Sequence, residues 1–293
     1  MIKENIVSLV DGFNVELNPK VRHKLKSIPL DKKNNVYITY LPDATENDIL
    51  ETVDFVSKQE LTPITHLPAR TMKDLDHVSD FLKELRNRTD SKKILVIGGG
   101  GNQNGSVSSS LEILECGLLK DNDFEEIGIA GHPEGSPDID QNTVSEFLNK
   151  KYELSKLKNL NLELVTQFFF NAEPFIKWCK FLDSSNIKLP VRVGFPGPAS
   201  FKTLLNFGIM SGVGNSLSFL KKNSSKVTDL LTKTSNDEMF IELANFSKEQ
   251  SSFKNFHCFP FGGFEKTCHW LNALQNGDFT MENDKIVLHN KIF

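Results

Sequence analysis

The sequence predicts an α/β protein built as a single (βα)8 (TIM) barrel, and three observations predict it. Short β-branched or apolar runs recur eight times, each is followed by a stretch with helical spacing, and no Gly/Pro/Ser-rich linker divides the 293 residues. Strict alternation of strand and helix implies parallel strands joined by right-handed crossovers. Eight such units suit a closed ring better than an open sheet, and the length is ordinary for one barrel.

The strands are expected at 13–17 (FNVEL), 36–41 (VYITYL), 63–67 (PITHL), 93–98 (KILVIG), 126–131 (EIGIAG), 162–168 (LELVTQF), 190–195 (PVRVGF) and 255–260 (NFHCFP). Amphipathic helices are expected at 45–59, 72–89, 106–119, 141–156, 172–185, 200–209 and 263–274. Thr45, with Asp48 three residues on, and Thr71, ahead of MKDLDHVSDFLKELRN, look like helix caps. Residues 18–34 are polar and basic and read as an extended first βα loop with a short helix. The segment 210–250 exceeds one crossover helix, which predicts two or three extra helices there. The tail 276–293, with Asn276–Gly277 and the run KIVLHNKIF, reads as a C-terminal hairpin or arm packed on the barrel. Residues 1–293 are thus expected to form one domain.

Hydrophobic residues make up 39% and charged residues 25%, the profile of a soluble globular protein able to bury its own core. Thirty-four basic residues against 38 acidic ones leave a net charge of −4, so no basic field points to nucleic acid or an anionic membrane. The four cysteines are widely spaced, with no CxxC pair, which argues against structural zinc and a disulfide framework. Neither an export leader nor an apolar run of membrane-spanning length is evident, and a cytoplasmic location is expected. Twenty-three Phe against 3 Tyr and 2 Trp should mostly fill the core, and leave aromatic faces to spare for a planar ligand.

Barrel chemistry gathers at the C-terminal ends of the strands and the loops that follow. Reading those ends nominates Glu16, Thr39, His66 with Arg70, the glycines from Gly98, His132 with Glu134, Gln167, and the stretch Phe259 to Gly263. Glu16 stands between Val15 and Leu17, and apolar surroundings disfavour a charged carboxylate, which suits acid–base work. A solvated or lysine-paired glutamate is the competing reading. Gln167 ends an apolar strand, where its amide can offer a donor and an acceptor to a heterocycle edge or be satisfied by backbone. The run GGGGNQNG (98–105) fits neither common nucleotide-binding glycine pattern; it either admits close backbone approach to a ligand or is merely a flexible loop. His66 and His132 are open to structural or ligand-binding roles, and no spacing signals a metal site or a Ser-His-Asp triad.

Several strand ends together resemble the methylenetetrahydrofolate reductase family. VTQFFFNAEPFIKWC (165–179) is similar to its strand ending in TQFFF, and AGHPEGSPD (130–138) to its Pro-Glu-Gly loop. VYITYLPDA (36–44), THLPAR (65–70) and VELNPK (15–20) follow in family order, and FPFGGFEKT (259–267) falls where the last strand should end. The resemblance implies FAD, NADH or NADPH as electron partner, and interconversion of 5,10-methylenetetrahydrofolate and 5-methyltetrahydrofolate in one-carbon metabolism toward methionine. It makes Glu16 the acid that opens the folate's five-membered ring, with Gln167 on the pterin and Phe201 beside the substrate. Thr39, His66, Ala130, His132 and Lys156 fall where the family contacts FAD, as do the positions of Gly98, Gly99 and Gly100. The family also implies a homo-oligomer. Gly98 to Gly100 replace a Leu-Arg-Gly-Asp strand end, His132 replaces a tyrosine, and Ser136 a histidine. That glycine stretch keeps a second function open, a flavin-free folate-binding one-carbon or methyl transferase on the same barrel.

Overall fold

The computed structural model describes residues 2–100, 102–136, 139–211, 213, 233–234, 237–248, 250 and 252–290. Eight parallel strands close into a barrel: β1 Asn14–Leu17, β2 Asn35–Ile38, β3 Thr62–Pro68, β4 Lys93–Ile97, β5 Glu126–Gly131, β6 Leu162–Phe168, β7 Val191–Pro196 and β8 Phe253–Phe259. The order is β1-β8-β7-β6-β5-β4-β3-β2, so sequential strands are neighbours and the last returns to the first. Buried parallel strands carry apolar residues on both faces. Val15, Leu17, Val36, Ile38, Val96 and Ile129, all fully buried, pack outward against the helices.

The helices form the outer layer. α1 is Ile2–Val10, α2 Glu46–Ser57, α3 Leu75–Arg88, α4 Ser110–Glu115, α5 Leu118–Asp121, α6 Gln141–Lys158, α7 Ala172–Ser184, α8 Phe201–Met210, α9 Asp237–Phe246 and α10 Phe264–Gln275. Thr45 caps α2 in a reciprocal box with Asp48, as its spacing predicts. The cap of α3 is Asp74, accepting from the His77 N–H at 2.8 Å, and not Thr71. Thr71 instead ends a short 3-10 turn, Ala69–Thr71. The first βα connection holds a kinked 3-10 segment, Pro19–Ser27, started by Asn18 and Pro19.

α1 is an element that the strand-and-helix alternation does not announce. It precedes β1, buries Ile6, Leu9 and Val10, and packs across α9 and α10. The tail forms an antiparallel hairpin, β9 Phe279–Glu282 with β10 Lys285–Leu288. Its turn is Asn283–Asp284, both at positive φ, whereas Asn276 caps α10. Lys3 ties hairpin to α1 by donating to the Phe279 carbonyl at 2.7 Å. Of the extra helices expected over 210–250, α9 is described; 212, 214–232, 235–236 and 249 lie outside the described residues.

Inside the barrel the layers differ sharply. The lower layer is polar: Arg192 donates to Glu163 at 2.6 Å and to Asn255 at 2.7 Å, and Lys254 reaches Glu163 at 3.1 Å. Asn35 donates to Asn14 at 2.7 Å, and Asn255 donates to the Gly12 carbonyl at 2.6 Å. Burial pushes the Glu163 carboxyl up, but Arg192 and Lys254 together hold it below its ordinary value. Above lies an apolar layer of Tyr37, Ile64, Leu95 and Val165. No described helix is long and apolar enough to cross a membrane.

Candidate functional site

Side chains alternate in and out along a barrel strand, so Glu16 faces the interior while its sequence neighbours Val15 and Leu17 face the helices. The apolar flanks are therefore not what surrounds the carboxylate. Its neighbours are two imidazoles. His257 Nε2 lies 3.3 Å from Glu16 Oε1 and His66 Nε2 lies 3.7 Å from the same oxygen. His257 is fully buried, held edge-on to Tyr37 at 4.5 Å and to Phe259 at 4.9 Å between ring centroids. A carboxylate oxygen can accept from His257 only if Nε2 carries the proton, which leaves Nδ1 as a bare acceptor. Nδ1 is buried without a hydrogen-bond partner among the described residues.

Burial lowers the His66 pKa to about 4, against a partial rise from Glu16 and a further lowering by His257. His132, on the loop after β5, is lowered to about 4 by burial and then by the charge of Lys151. Both imidazoles are therefore neutral at pH 7. The unfolded chain takes up protons on these histidines as pH falls through 6.5, while the folded chain resists until about pH 4. Stability should fall across that window, by an amount on the order of 3 kcal/mol for His66 once the unfolded chain is fully protonated. Denaturant midpoints between pH 7 and 4.5 check this, and His66→Gln should flatten the dependence.

Gln167 reaches the same cavity through an irregularity. The β6–β7 register shifts between Val165 and Phe168, a bulge that presses the Thr166 and Gln167 carbonyls toward β7. Only glycine fits opposite: a Cβ on Gly194 would sit 2.3 Å from the Gln167 oxygen and 2.4 Å from the Thr166 oxygen. The Gly194 N–H donates to Thr166 Oγ1 at 2.7 Å, and that hydroxyl donates to the Gln167 carbonyl at 2.9 Å. The side-chain Nε2 of Gln167 is buried with no partner, a donor awaiting an acceptor.

One cavity of about 730 Å³ gathers Glu16, His66, His257, Gln167, Gly98, Gly99, Gly100, Ala130 and His132 at the C-terminal mouth. Gly98 and Gly100 form a bare wall, since a Cβ on either would meet no atom within 4 Å. Opposite stands one face of α6, where Val144, Phe147, Leu148 and Lys151 recur at helical spacing. Burial lowers the Lys151 pKa to about 8.

Thr39, Lys156 and Phe201 do not line the cavity, nor do Glu134 and the residues from Pro260 to Gly263. Thr39 is buried with its hydroxyl on the Leu17 carbonyl at 3.4 Å. Lys156 sits on the solvent side of α6, paired with Glu153 at 2.8 Å and lying over the Tyr152 ring at 3.9 Å. Phe201 packs with Phe168, Phe170 and Leu204 in an aromatic cluster that reaches the cavity through Phe259. Five of the six lysines and arginines of the first loop are tied down by acids, Lys20 by Asp43, Arg22 by Glu51, Lys24 by Glu265, Lys32 by Glu60 and Lys33 by Asp11; Lys26 lies over Phe55. Gly101, Pro137 and Asp138 lie outside the described residues. Sequence reading missed His257, Tyr37 and Lys151. Strand alternation through Asn255, His257 and Phe259, and helical spacing from Val144 to Lys151, were the signals that could have found two of them.

No family model matches the chain. It is 32% identical over 100 residues to a 5,10-methylenetetrahydrofolate reductase from Buchnera aphidicola subsp. Baizongia pistaciae, a match covering 33% of this chain and 31% of that protein. Among solved structures, an uncharacterized protein from Clostridium thermocellum that binds two copies of 5-methyl-5,6,7,8-tetrahydrofolic acid superposes with a TM-score of 0.53 at 12% identity. That superposition covers 90% of this chain and 93% of the other, and shows a shared fold.

Proposed function

We propose that this methylenetetrahydrofolate reductase-like barrel is a flavin-dependent oxidoreductase that interconverts 5,10-methylenetetrahydrofolate and 5-methyltetrahydrofolate. The observation that carries the reading is one cavity holding both an imidazole-flanked acid, Glu16, and an unpartnered buried amide, Gln167. Similarity to the Buchnera reductase supports it, and so does the folate bound by the Clostridium neighbour. In reduction, Glu16 donates a proton to a nitrogen of the folate's five-membered ring, the ring opens to an iminium, and hydride adds to the methylene carbon. In oxidation, Glu16 takes the proton back. His257 holds the carboxylate by donating from Nε2, while neutral His66 brings no positive charge beside it. Gln167 offers both a donor and an acceptor to the pterin edge.

The residues fit a flat cofactor as well. Gly98, Gly99 and Gly100, with Ala130, His66 and His132, would hold FAD, with open space beside Gly98 and Gly100. FAD, when bound, supplies hydride exchange with NADH or NADPH. A second reading rests on the same glycines. They stand where the resembled reductases carry arginine and aspartate, which supports a flavin-free folate-binding one-carbon or methyl transferase.

The absorbance spectrum of the purified protein separates the two. Flavin bands that bleach anaerobically with NADH or NADPH, and respond to methyltetrahydrofolate, are the result expected. A colourless protein that binds methyltetrahydrofolate and takes up no added FAD would overturn the flavin reading in favour of the second. Gln167→Ala should raise the folate KM roughly tenfold, the scale of one lost hydrogen bond to a buried partner, with flavin content unchanged. Steady-state kinetics and flavin stoichiometry on one preparation check it.

A further inference from the structure

The cavity contains cations that no described residue neutralises. Of the chain's five arginines, four are paired: Arg22 with Glu51, Arg86 with Asp123, Arg88 with Asp54 and Arg192 with Glu163. Arg70 lines the cavity, and its guanidinium has no acid or hydrogen-bond partner among the described residues. Its backbone is fixed. The Arg70 N–H donates to the Gly98 carbonyl at 3.0 Å, and its own carbonyl accepts from Asn104 at 2.8 Å, so the side chain is rooted in the glycine wall.

Across the cavity, half-buried Lys151 likewise has no acid beside it among the described residues. The neighbouring lysine on α6 behaves differently, since Lys150 bridges Glu146 at 2.6 Å. Among the described residues Glu16 is the single carboxylate lining the cavity, and it is engaged at the floor by the two imidazoles. A desolvated ammonium and a planar five-donor fork, both unpaired in one concave site, are what an oxyanion requires.

We propose that Arg70 and Lys151 form an oxyanion clamp that holds the phosphate or carboxylate arm of a ligand whose planar ring lies over Gly98 to Gly100. This rests on the folate- and flavin-binding reading of the cavity. The shared chemistry is an oxyanion on a heteroaromatic ligand, whether the diphosphate of a dinucleotide or the carboxylates of a folate tail. Burial has already lowered the Lys151 pKa to about 8, so a bound anion recovers energy by restoring a counter-charge. Binding should weaken as pH rises past about 8 and Lys151 loses its proton.

Inorganic pyrophosphate tests the clamp independently of which ligand is native. Calorimetry or thermal shift should detect pyrophosphate binding to the wild type, and Arg70→Gln or Lys151→Met should each weaken it roughly tenfold to a hundredfold. Lys151→Met keeps the side chain's packing and should also abolish the decline above pH 8. Lys150→Ala should bind as the wild type does. FAD compared with riboflavin, and methyltetrahydrofolate compared with a tail-free tetrahydropterin, then identify the arm that is held. The ligand in the clamp loses affinity in the variants while its anion-free counterpart does not. Pyrophosphate that binds neither directly nor in competition, or that binds wild type and both variants alike, would overturn the clamp. A wild type that binds pyrophosphate but neither FAD nor any folate would retain the clamp and remove the proposed function instead.

Discussion

Glu16→Gln should retain folate binding and flavin content while losing folate turnover by roughly a hundredfold to ten-thousandfold, the span a positioned general acid contributes. The substitution is isosteric and keeps an oxygen for His257 to donate to, so cavity shape should survive. Only the transferable proton is gone. Reduction of bound flavin by NADH or NADPH does not involve a folate nitrogen, so the bleaching rate with reduced nicotinamide should be unchanged while the folate half-reaction stalls. Stopped-flow measurement of both half-reactions checks this. A fully active Glu16→Gln variant would remove the assignment of Glu16 as acid.

The second large effect concerns stability. Arg192→Leu should cost about 3–5 kcal/mol, because it leaves Glu163 charged and almost fully buried with only the half-exposed Lys254 to pair it. The loss is mostly the penalty of the orphaned carboxylate, so replacing both partners, as in Arg192→Met with Glu163→Leu, should recover much of it. The single variant should also lose the carboxyl's depressed pKa. In the wild type that depression stabilises the fold above the ordinary glutamate range, and the gain disappears as pH falls through the lowered value. Urea unfolding at pH 7 and pH 4 distinguishes the two variants, and a cost below 1 kcal/mol for Arg192→Leu would refute the account.

All eight barrel strands could be read to within about three residues, because a strand buried on both faces is a short, nearly continuous apolar run. What failed was whatever depends on direction or on partners distant in sequence. α1 is brief and precedes the first strand, so no alternation flagged it. Thr71 and Asp74 are equally plausible caps by residue type; the turn that presents Arg70 uses the first and leaves the helix to the second. Glu16 was found for its strand-end position, but its real neighbours come from β3 and β8. His257 escaped because one histidine inside an apolar strand carries no local signal. Family likeness placed Lys156 on α6, whereas the helical period turns Lys151 toward the cavity. The glycines at 98 and 100 were visible as letters; that they leave a bare wall is a fact about space.

Glu16 and His257 are separated by 241 positions, yet they sit on the two strands whose pairing completes the ring. That seam is short: Asn14 meets His257 and Val15 meets Cys258, against six matched pairs between β8 and β7. The junction that must wait for nearly the whole chain is also the one that brings the acid to its imidazole. The clasp of the barrel and the proton donor proposed for it are thus the same object. A chain whose last strand has not joined the first lacks the Glu16–His257 pair, so under the proposed function folate turnover should appear only once the ring has closed.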